Sequence, residues 1–368
     1  MMKDIHFHIV EPRSLVPEKD YQVPTLENAH YLVKCMDRFG LEQICIPAIS
    51  LYDPTDFVCN PLALYAKTLA PGRVYALGGL RYSLNREENT DLLDQAYALL
   101  EAGFDGFKMI CKPNARRTMK FGLDDPMFDA FFDAAEENQW PILYHVGDPG
   151  TFWDPAVVPS WARANGWYYG EDEDIPSYEG LYQEVERMME RHPRLKVTFA
   201  HFFFMSGDFD RLQSMFDRYP NMRVDVTPGR EMYEDFSVDQ DRTRRFFEKN
   251  CGRILLGTDN VGLNGELCAQ GYVGGKNKLD NLIRYFESDE PMEMLGLKLR
   301  GVTLSEETKQ ALFEGSFDAF LAAETPKQIN RQAAAALCRK LKPTAQLAGS
   351  NGEAIARLYD QLETAFAQ

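Results

Sequence analysis

Eight short apolar runs, each followed by a longer stretch of helical periodicity, constrain this chain more than any other feature. The runs are Asp4–Val10, Gln43–Pro47, Val74–Leu80, Gly106–Ile110, Pro141–Val146, Lys196–Phe202, Arg223–Thr227 and Arg253–Thr258. Their β-branched and aromatic content suits strands. Between them lie amphipathic patterns at Leu26–Phe39, Asp91–Ala102, Met127–Asn138, Tyr178–Arg191, Phe209–Arg218 and Arg242–Lys249. Strict strand–helix alternation calls for a parallel sheet with crossover helices. Eight repeats in 368 residues favour closure into a (β/α)8 TIM barrel over an open doubly wound α/β sheet. No glycine-rich dinucleotide or phosphate loop follows the first strand, which removes the main reason to expect a Rossmann fold.

Two segments exceed the minimal repeat. The stretch Gly147–Ser177, after strand five, carries Trp153, Trp161, Trp167, Tyr168 and Tyr169. A loop of that length is usually functional and belongs over the C-terminal mouth of the barrel. Its aromatics are expected either to stack on a ligand or to pack on each other. Within it, Glu171–Asp174 reads as a solvated acidic run. The second segment is residues 324–368, set apart from a barrel domain of residues 1–323. Its alanine-rich pattern Gln328–Leu341 and last helix Glu353–Phe366 are joined by Gly349-Ser350-Asn351-Gly352. It reads as a helical extension packed on the barrel or on a partner subunit of a homo-oligomer.

Charge narrows the partners. Apolar residues at 45% allow a large core, but the formal net charge is −16. A nucleic-acid binder needs a basic footprint, and an anionic membrane surface would repel this chain. No apolar run approaches the roughly 18–20 residues of a membrane span, and the N-terminus lacks the apolar centre of a signal peptide. Seven scattered cysteines without a CxxC pair read as reduced thiols of a cytoplasmic protein. A small-molecule substrate is the expected partner.

The chemistry concentrates in the few histidines. Residues two apart on a strand face the same side, so His6 and His8 project together. His145 lies near the end of strand five, His201 ends strand six in Thr198-Phe199-Ala200-His201, and Asp259 ends strand eight in Leu255-Leu256-Gly257-Thr258-Asp259. A lone strand histidine is more often a hydrogen-bonded core residue than a ligand. Five such groups at the same end of one barrel are a different matter. Imidazoles and a carboxylate form a donor set for one divalent metal, Zn2+ first among them, with a position left for a water whose pKa falls to about 7. His30, within a helix, and His192, in a turn, lack that placement and read as structural. Asp259 has the charge to be both ligand and base; its bland alternative is a helix cap.

His6-Phe7-His8, His145, His201 and Asp259, supported by Glu190-Arg191-His192-Pro193 and Leu255–Asp259, resemble the amidohydrolase superfamily from Met2 to Leu321. The nearest pattern is the amidohydrolase-related branch, which mixes hydrolases with decarboxylases such as aminocarboxymuconate semialdehyde decarboxylase. The resemblance implies one metal bound by His6, His8, His145 and Asp259, with His201 polarising substrate or moving a proton. Other branches hold two metals bridged by a carboxylated lysine. Lys108 stands near that place, but it reads better as an amine for a substrate anion or an ion-pair partner. Glu314-Gly315-Ser316 stands where the family usually has a Gly-Asn pair.

Substrate contacts are expected from Arg230 and Tyr233, with Glu231, on the loop after strand seven; Arg81 has similar standing. The leading expectation is metal-dependent hydrolysis of a lactone, amide or related carbonyl, with Asp259 relaying the proton. The alternative is non-oxidative decarboxylation of an unsaturated or aromatic acid, with Asp259 or His201 delivering a proton to carbon. A barrel that only binds, or works without metal, is the third reading.

Overall fold

The computed structural model describes residues 1–15, 21–323 and 325–368, so the expected domain boundary at residue 324 falls outside the described residues. Eight parallel strands form the barrel. They are β1 (Lys3–Asp4, resuming at Phe7–His8), β2 (Gln43–Pro47), β3 (Val74–Gly79), β4 (Gly106–Cys111), β5 (Ile142–Val146), β6 (Val197–Phe199), β7 (Met222–Asp225) and β8 (Ile254–Leu255, resuming at Asn260–Val261). Each pairs with its successor in chain order. The ring closes where the Ile5 amide donates to Leu256 O at 3.0 Å and Phe7–His8 pairs in parallel with Asn260–Val261. The fold is a TIM barrel.

The helices are α1 (Leu26–Phe39), α2 (Cys59–Leu69), α3 (Leu92–Ala102), α4 (Asp129–Glu137), α5 (Ser160–Ala164), α6 (Tyr178–Arg191), α7 (Phe209–Arg218), α8 (Arg230–Val238), α9 (Gln240–Lys249), α10 (Leu267–Glu287), α11 (Glu306–Gln310), α12 (Ser316–Leu321), α13 (Arg331–Leu341) and α14 (Gly352–Ala367). A hairpin of β9 (Pro291–Met294) and β10 (Leu297–Arg300) follows α10. α1 shows why its bounds were readable. Thr25 and Asn28 form a reciprocal capping box at its start, and Gly40, at φ 74°, ends it in the left-handed conformation.

Two layers of packing hold the barrel. Outward-facing residues such as Phe7, Ile44, Ile46, Val74 and Phe107 form the main core against the helices. Inside, Ile5, Cys45, Tyr75, Leu77, Leu143 and Leu255 meet Phe317 and Phe320 of α12. That helix plugs the N-terminal end of the barrel, tied by Lys3 Nζ to Asp318 at 2.7 Å and by Tyr75 Oη to Ala323 O at 2.8 Å. Each buried phenylalanine there contributes on the order of 2–3 kcal/mol. With the bottom filled, only the C-terminal mouth remains for a ligand.

The C-terminal extension packs on this chain's own barrel: α13 lies on α3 and α2, and α14 on α13 and α2. The Asn330 amide donates to Ala102 O at 3.3 Å. Among the described residues no helix is long and apolar enough to cross a membrane.

Candidate metal centre and cavity

The break in β1 builds the centre. Ile5 faces the inner cluster while Phe7 faces the helices, so the alternation shifts between them and turns both His6 and His8 inward. Asp4 holds that break. Its carboxylate accepts from the His6 amide at 2.9 Å, the Thr258 amide at 3.1 Å and Thr258 Oγ at 2.5 Å, stitching β1 to β8. Burial raises its pKa to about 6 against those hydrogen bonds. Gly257 allows the close approach: a Cβ there would stand 2.2 Å from Thr227 Oγ and 3.0 Å from His6 Cβ.

The donor geometry assigns both tautomers. His6 Nδ1 lies 2.9 Å from Asp225 Oδ2, and burial lowers the imidazole pKa to about 3, with Lys108 adding to the effect against Asp225. The ring is therefore neutral, with its proton on Nδ1 toward the carboxylate. His8 Nδ1 lies 3.1 Å from Pro47 O, and a carbonyl only accepts, so His8 also carries its proton on Nδ1. The two Nε2 atoms lie 3.0 Å apart. Asp259 Oδ1 lies 3.3 Å from His8 Nε2 and 3.9 Å from His6 Nε2. The three donor atoms lie within 4.8 Å of one another. That spacing lets one cation be held by all three.

Asp259 sits at φ 53°, a left-handed conformation costly for a non-glycine residue, which turns its carboxylate into the mouth. Burial alone would raise its pKa. The His8 hydrogen bond and the neighbouring imidazoles outweigh that and hold the carboxyl well below the usual range.

The cavity above the trio measures about 200 Å³ and is lined by His8, His145, His201, Asp259, Glu11 and Lys112, with Ile110 and Trp167 among the apolar walls. His145 lies beside His201, their ring centroids 4.6 Å apart, rather than in the trio; its Nε2 is buried without a hydrogen-bond partner. His201 Nδ1 faces Thr227 O at 3.3 Å. Lys108 is buried beneath, its Nζ unpartnered, and burial lowers its pKa to about 8 against the pull of Asp225 and Asp259.

His201 opens a run of four consecutive residues in left-handed conformation: His201 (φ 55°), Phe202 (55°), Phe203 (57°) and Phe204 (52°). Each costs about 1–2 kcal/mol for an L side chain. The neighbours hold the turn in place. The His201 amide donates to Asp225 Oδ1 at 2.8 Å, Tyr182 Oη to Phe203 O at 2.9 Å, and Tyr178 Oη to Phe204 O at 2.8 Å. Phe203 stacks on Phe199 at 4.1 Å, and Phe204 lies 5.4 Å from His201.

The expected substrate contacts from the loop after β7 do not reach the cavity. Tyr233 is fully buried, its hydroxyl donating to Val226 O at 2.8 Å, because α8 begins at Arg230 and turns that face into the core. Arg230 is exposed at the start of α8. Arg81 lies over the Phe57 ring. His30 and His192 also lie outside the cavity. The aromatic loop packs largely on itself. Phe152, Ala162, Tyr169 and Ile175 make a small core of their own, with Trp153 and Trp167 packed on it, while Asn165 and Trp167 also line the cavity.

Sequence reasoning missed Asp225, Asp4 and Lys112. Asp225 ends β7 as Asp259 follows β8, so its position was a usable signal. Lys112 lies two residues past Ile110, just past the last residue of β4, and was hidden by its place beyond the apolar run.

A (β/α)8 barrel with His6, His8 and Asp259 gathered at its C-terminal mouth carries a possible metal site. The profile of the family described as Amidohydrolase matches residues 71–315, and the chain belongs to that family. An uncharacterised TIM-barrel protein from Bordetella bronchiseptica has a similar structure (TM-score 0.52, 12% identity, 87% of this chain and 98% of that one). So does an IDCase from Metarhizium anisopliae in apo form (0.52, 14%, 88% and 97%). A 4-oxalomesaconate hydratase from Rhodopseudomonas palustris is also similar (0.50, 16%, 93% and 100%). At these identities the likeness is one of fold. Among curated protein sequences none matches.

Proposed function

We propose that this chain is a metal-dependent hydrolase acting on a lactone, amide or related carbonyl of a small molecule. The observation that carries the reading is the set of three possible ligand atoms, from His6, His8 and Asp259, gathered within 4.8 Å of one another. Two neutral imidazoles and a carboxylate suit Zn2+ or a similar borderline divalent ion. Such an ion, when bound, supplies a Lewis acid and lowers the pKa of a coordinated water.

The protein groups divide the remaining work. Asp225 fixes the His6 tautomer and Pro47 O that of His8. Asp259, ionised and 37% exposed toward the cavity, is placed to accept a proton and pass it to a leaving group. His201, its Nδ1 turned to Thr227 O, presents Nε2 to accept a transferred proton. His145, with Nε2 unpartnered, is the candidate fourth ligand. Seven cysteines without a disulfide support a cytoplasmic setting.

Non-oxidative decarboxylation of an unsaturated or aromatic acid would draw on the same three donor atoms and is the alternative reading. Elemental analysis of protein purified without chelator should find about one divalent ion per chain. Pooled lactones and amides should be hydrolysed, and His6→Ala should abolish both metal and turnover. Carbon dioxide release from pooled aromatic acids without hydrolysis would replace this reading with the decarboxylase. A metal-free protein with unchanged ligand binding in His6→Ala would leave only a binding barrel.

A further inference from the structure

Two lysines lie four residues apart at the end of β4: Lys108, buried within the strand, and Lys112, just past its last residue, which lines the cavity together with Ile110. In a chain of net charge −16 a lysine here is conspicuous, and the same cavity is also lined by Asp259 and Glu11. Lys112 Nζ lies 4.6 Å from the centre of the Trp167 ring, within cation–π range. Among the described residues its ion-pair partner is Asp148 Oδ1 at 3.5 Å, beyond good hydrogen-bonding distance. Asp148 in turn accepts a 2.7 Å bond from the Tyr169 hydroxyl. The ammonium is thus held in place from behind, with donors left for the cavity. His145 Nε2, buried and unpartnered, lines the same cavity.

We propose that Lys112 and Trp167 form the recognition subsite for a substrate carboxylate attached to a planar aromatic or unsaturated group. The carboxylate pairs with the Lys112 ammonium, the planar group lies along the Trp167 indole and Ile110, and the reacting carbonyl reaches down toward His8 and Asp259. This deepens the hydrolase reading and rests on it for the reacting end alone. The anion is a recognition handle, bound at the rim and away from the trio.

The test uses benzoate and its neutral isostere benzamide, titrated against the full chain with tryptophan fluorescence as the readout. Wild-type protein should bind benzoate in preference to benzamide. Lys112→Met should weaken benzoate about tenfold or more, the loss expected for a charge-assisted bond, and leave benzamide unchanged. Trp167→Leu should weaken both. Asp148→Asn, which removes the competing carboxylate, should tighten benzoate and provides a second reading should Lys112→Met fold poorly. Repeating the titrations after chelation separates this subsite from the metal reading, because dependence on Lys112 should survive loss of the ion. Benzoate binding that ignores Lys112→Met but vanishes on chelation would place the carboxylate on the metal and overturn the proposal. So would wild-type protein that does not distinguish the two probes, or an Asp148→Asn variant that binds benzoate no tighter.

Discussion

Asp225 meets His6 across 2.9 Å with both side chains fully buried. The same carboxylate accepts from the amides of His201 at 2.8 Å and Thr227 at 3.1 Å. One residue at the end of β7 therefore sets the tautomer of a metal-ligand candidate and the position of the next histidine. Burial would raise the Asp225 pKa, but His6, Thr227 and His201 outweigh it and keep the carboxyl ionised.

Asp225→Asn keeps the shape but supplies an amide that can face His6 with either end. Metal affinity should fall about 10–100-fold, as for loss of an orienting carboxylate behind a ligand histidine. Competition against a chromogenic chelator measures it. Unchanged affinity would show that Thr227 Oγ, 3.1 Å from His6 Nδ1, suffices to orient the ring.

Asp56 gives a pH dependence away from the metal trio. Its carboxylate accepts from the Arg13 amide, the Ser14 amide and Ser14 Oγ, and so anchors the segment that brings Pro12 and Leu15 to the cavity. Burial outweighs those bonds and raises its pKa from the ordinary 3.8 to about 7. A carboxyl with a raised folded pKa makes the folded state bind more protons than the unfolded one. Stability should therefore fall as pH rises from about 4 to about 7 and level off above that, by at most about 4 kcal/mol. Urea unfolding of wild type and Asp56→Asn across this range checks the sign. The variant should lack this share of the decline and gain on wild type at pH 8.

The left-handed turn from His201 to Phe204 inverts a common rule. Glycine is ordinarily the costlier replacement, because it frees the unfolded chain. At Phe203, with φ 57°, alanine keeps the backbone strain and glycine relieves it. Both variants lose the ring that stacks on Phe199, at a cost of about 3–5 kcal/mol. Phe203→Gly should nonetheless be more stable than Phe203→Ala by about 1 kcal/mol. Thermal or denaturant unfolding of the pair decides it, and the opposite order would mean that the turn is not strained.

Much of this molecule was legible before folding. Short β-branched and aromatic runs placed all eight strands, and amphipathic periodicity placed helices such as α1, α6 and α7 to the residue. α2 was not seen, because it is buried on nearly every side and shows no polar face for a periodic pattern to reveal. α10 was disguised by Gly271, Gly274 and Gly275, which lower helix propensity, though Gly271 and Gly275 also allow close packing against Tyr31 and Phe39. The spacing of His6 and His8, and the places of His201 and Asp259 at strand ends, are local facts that the chain states by itself. The tertiary structure decided what local pattern cannot carry. It put His145 beside His201 instead of in the trio, sent Tyr233 into the core, and joined Asp225 and Asp4 to the centre across 219 and 254 residues of chain. Alternation says which way a strand residue points, but only closure of the barrel determines which residues from distant strands come to face one another.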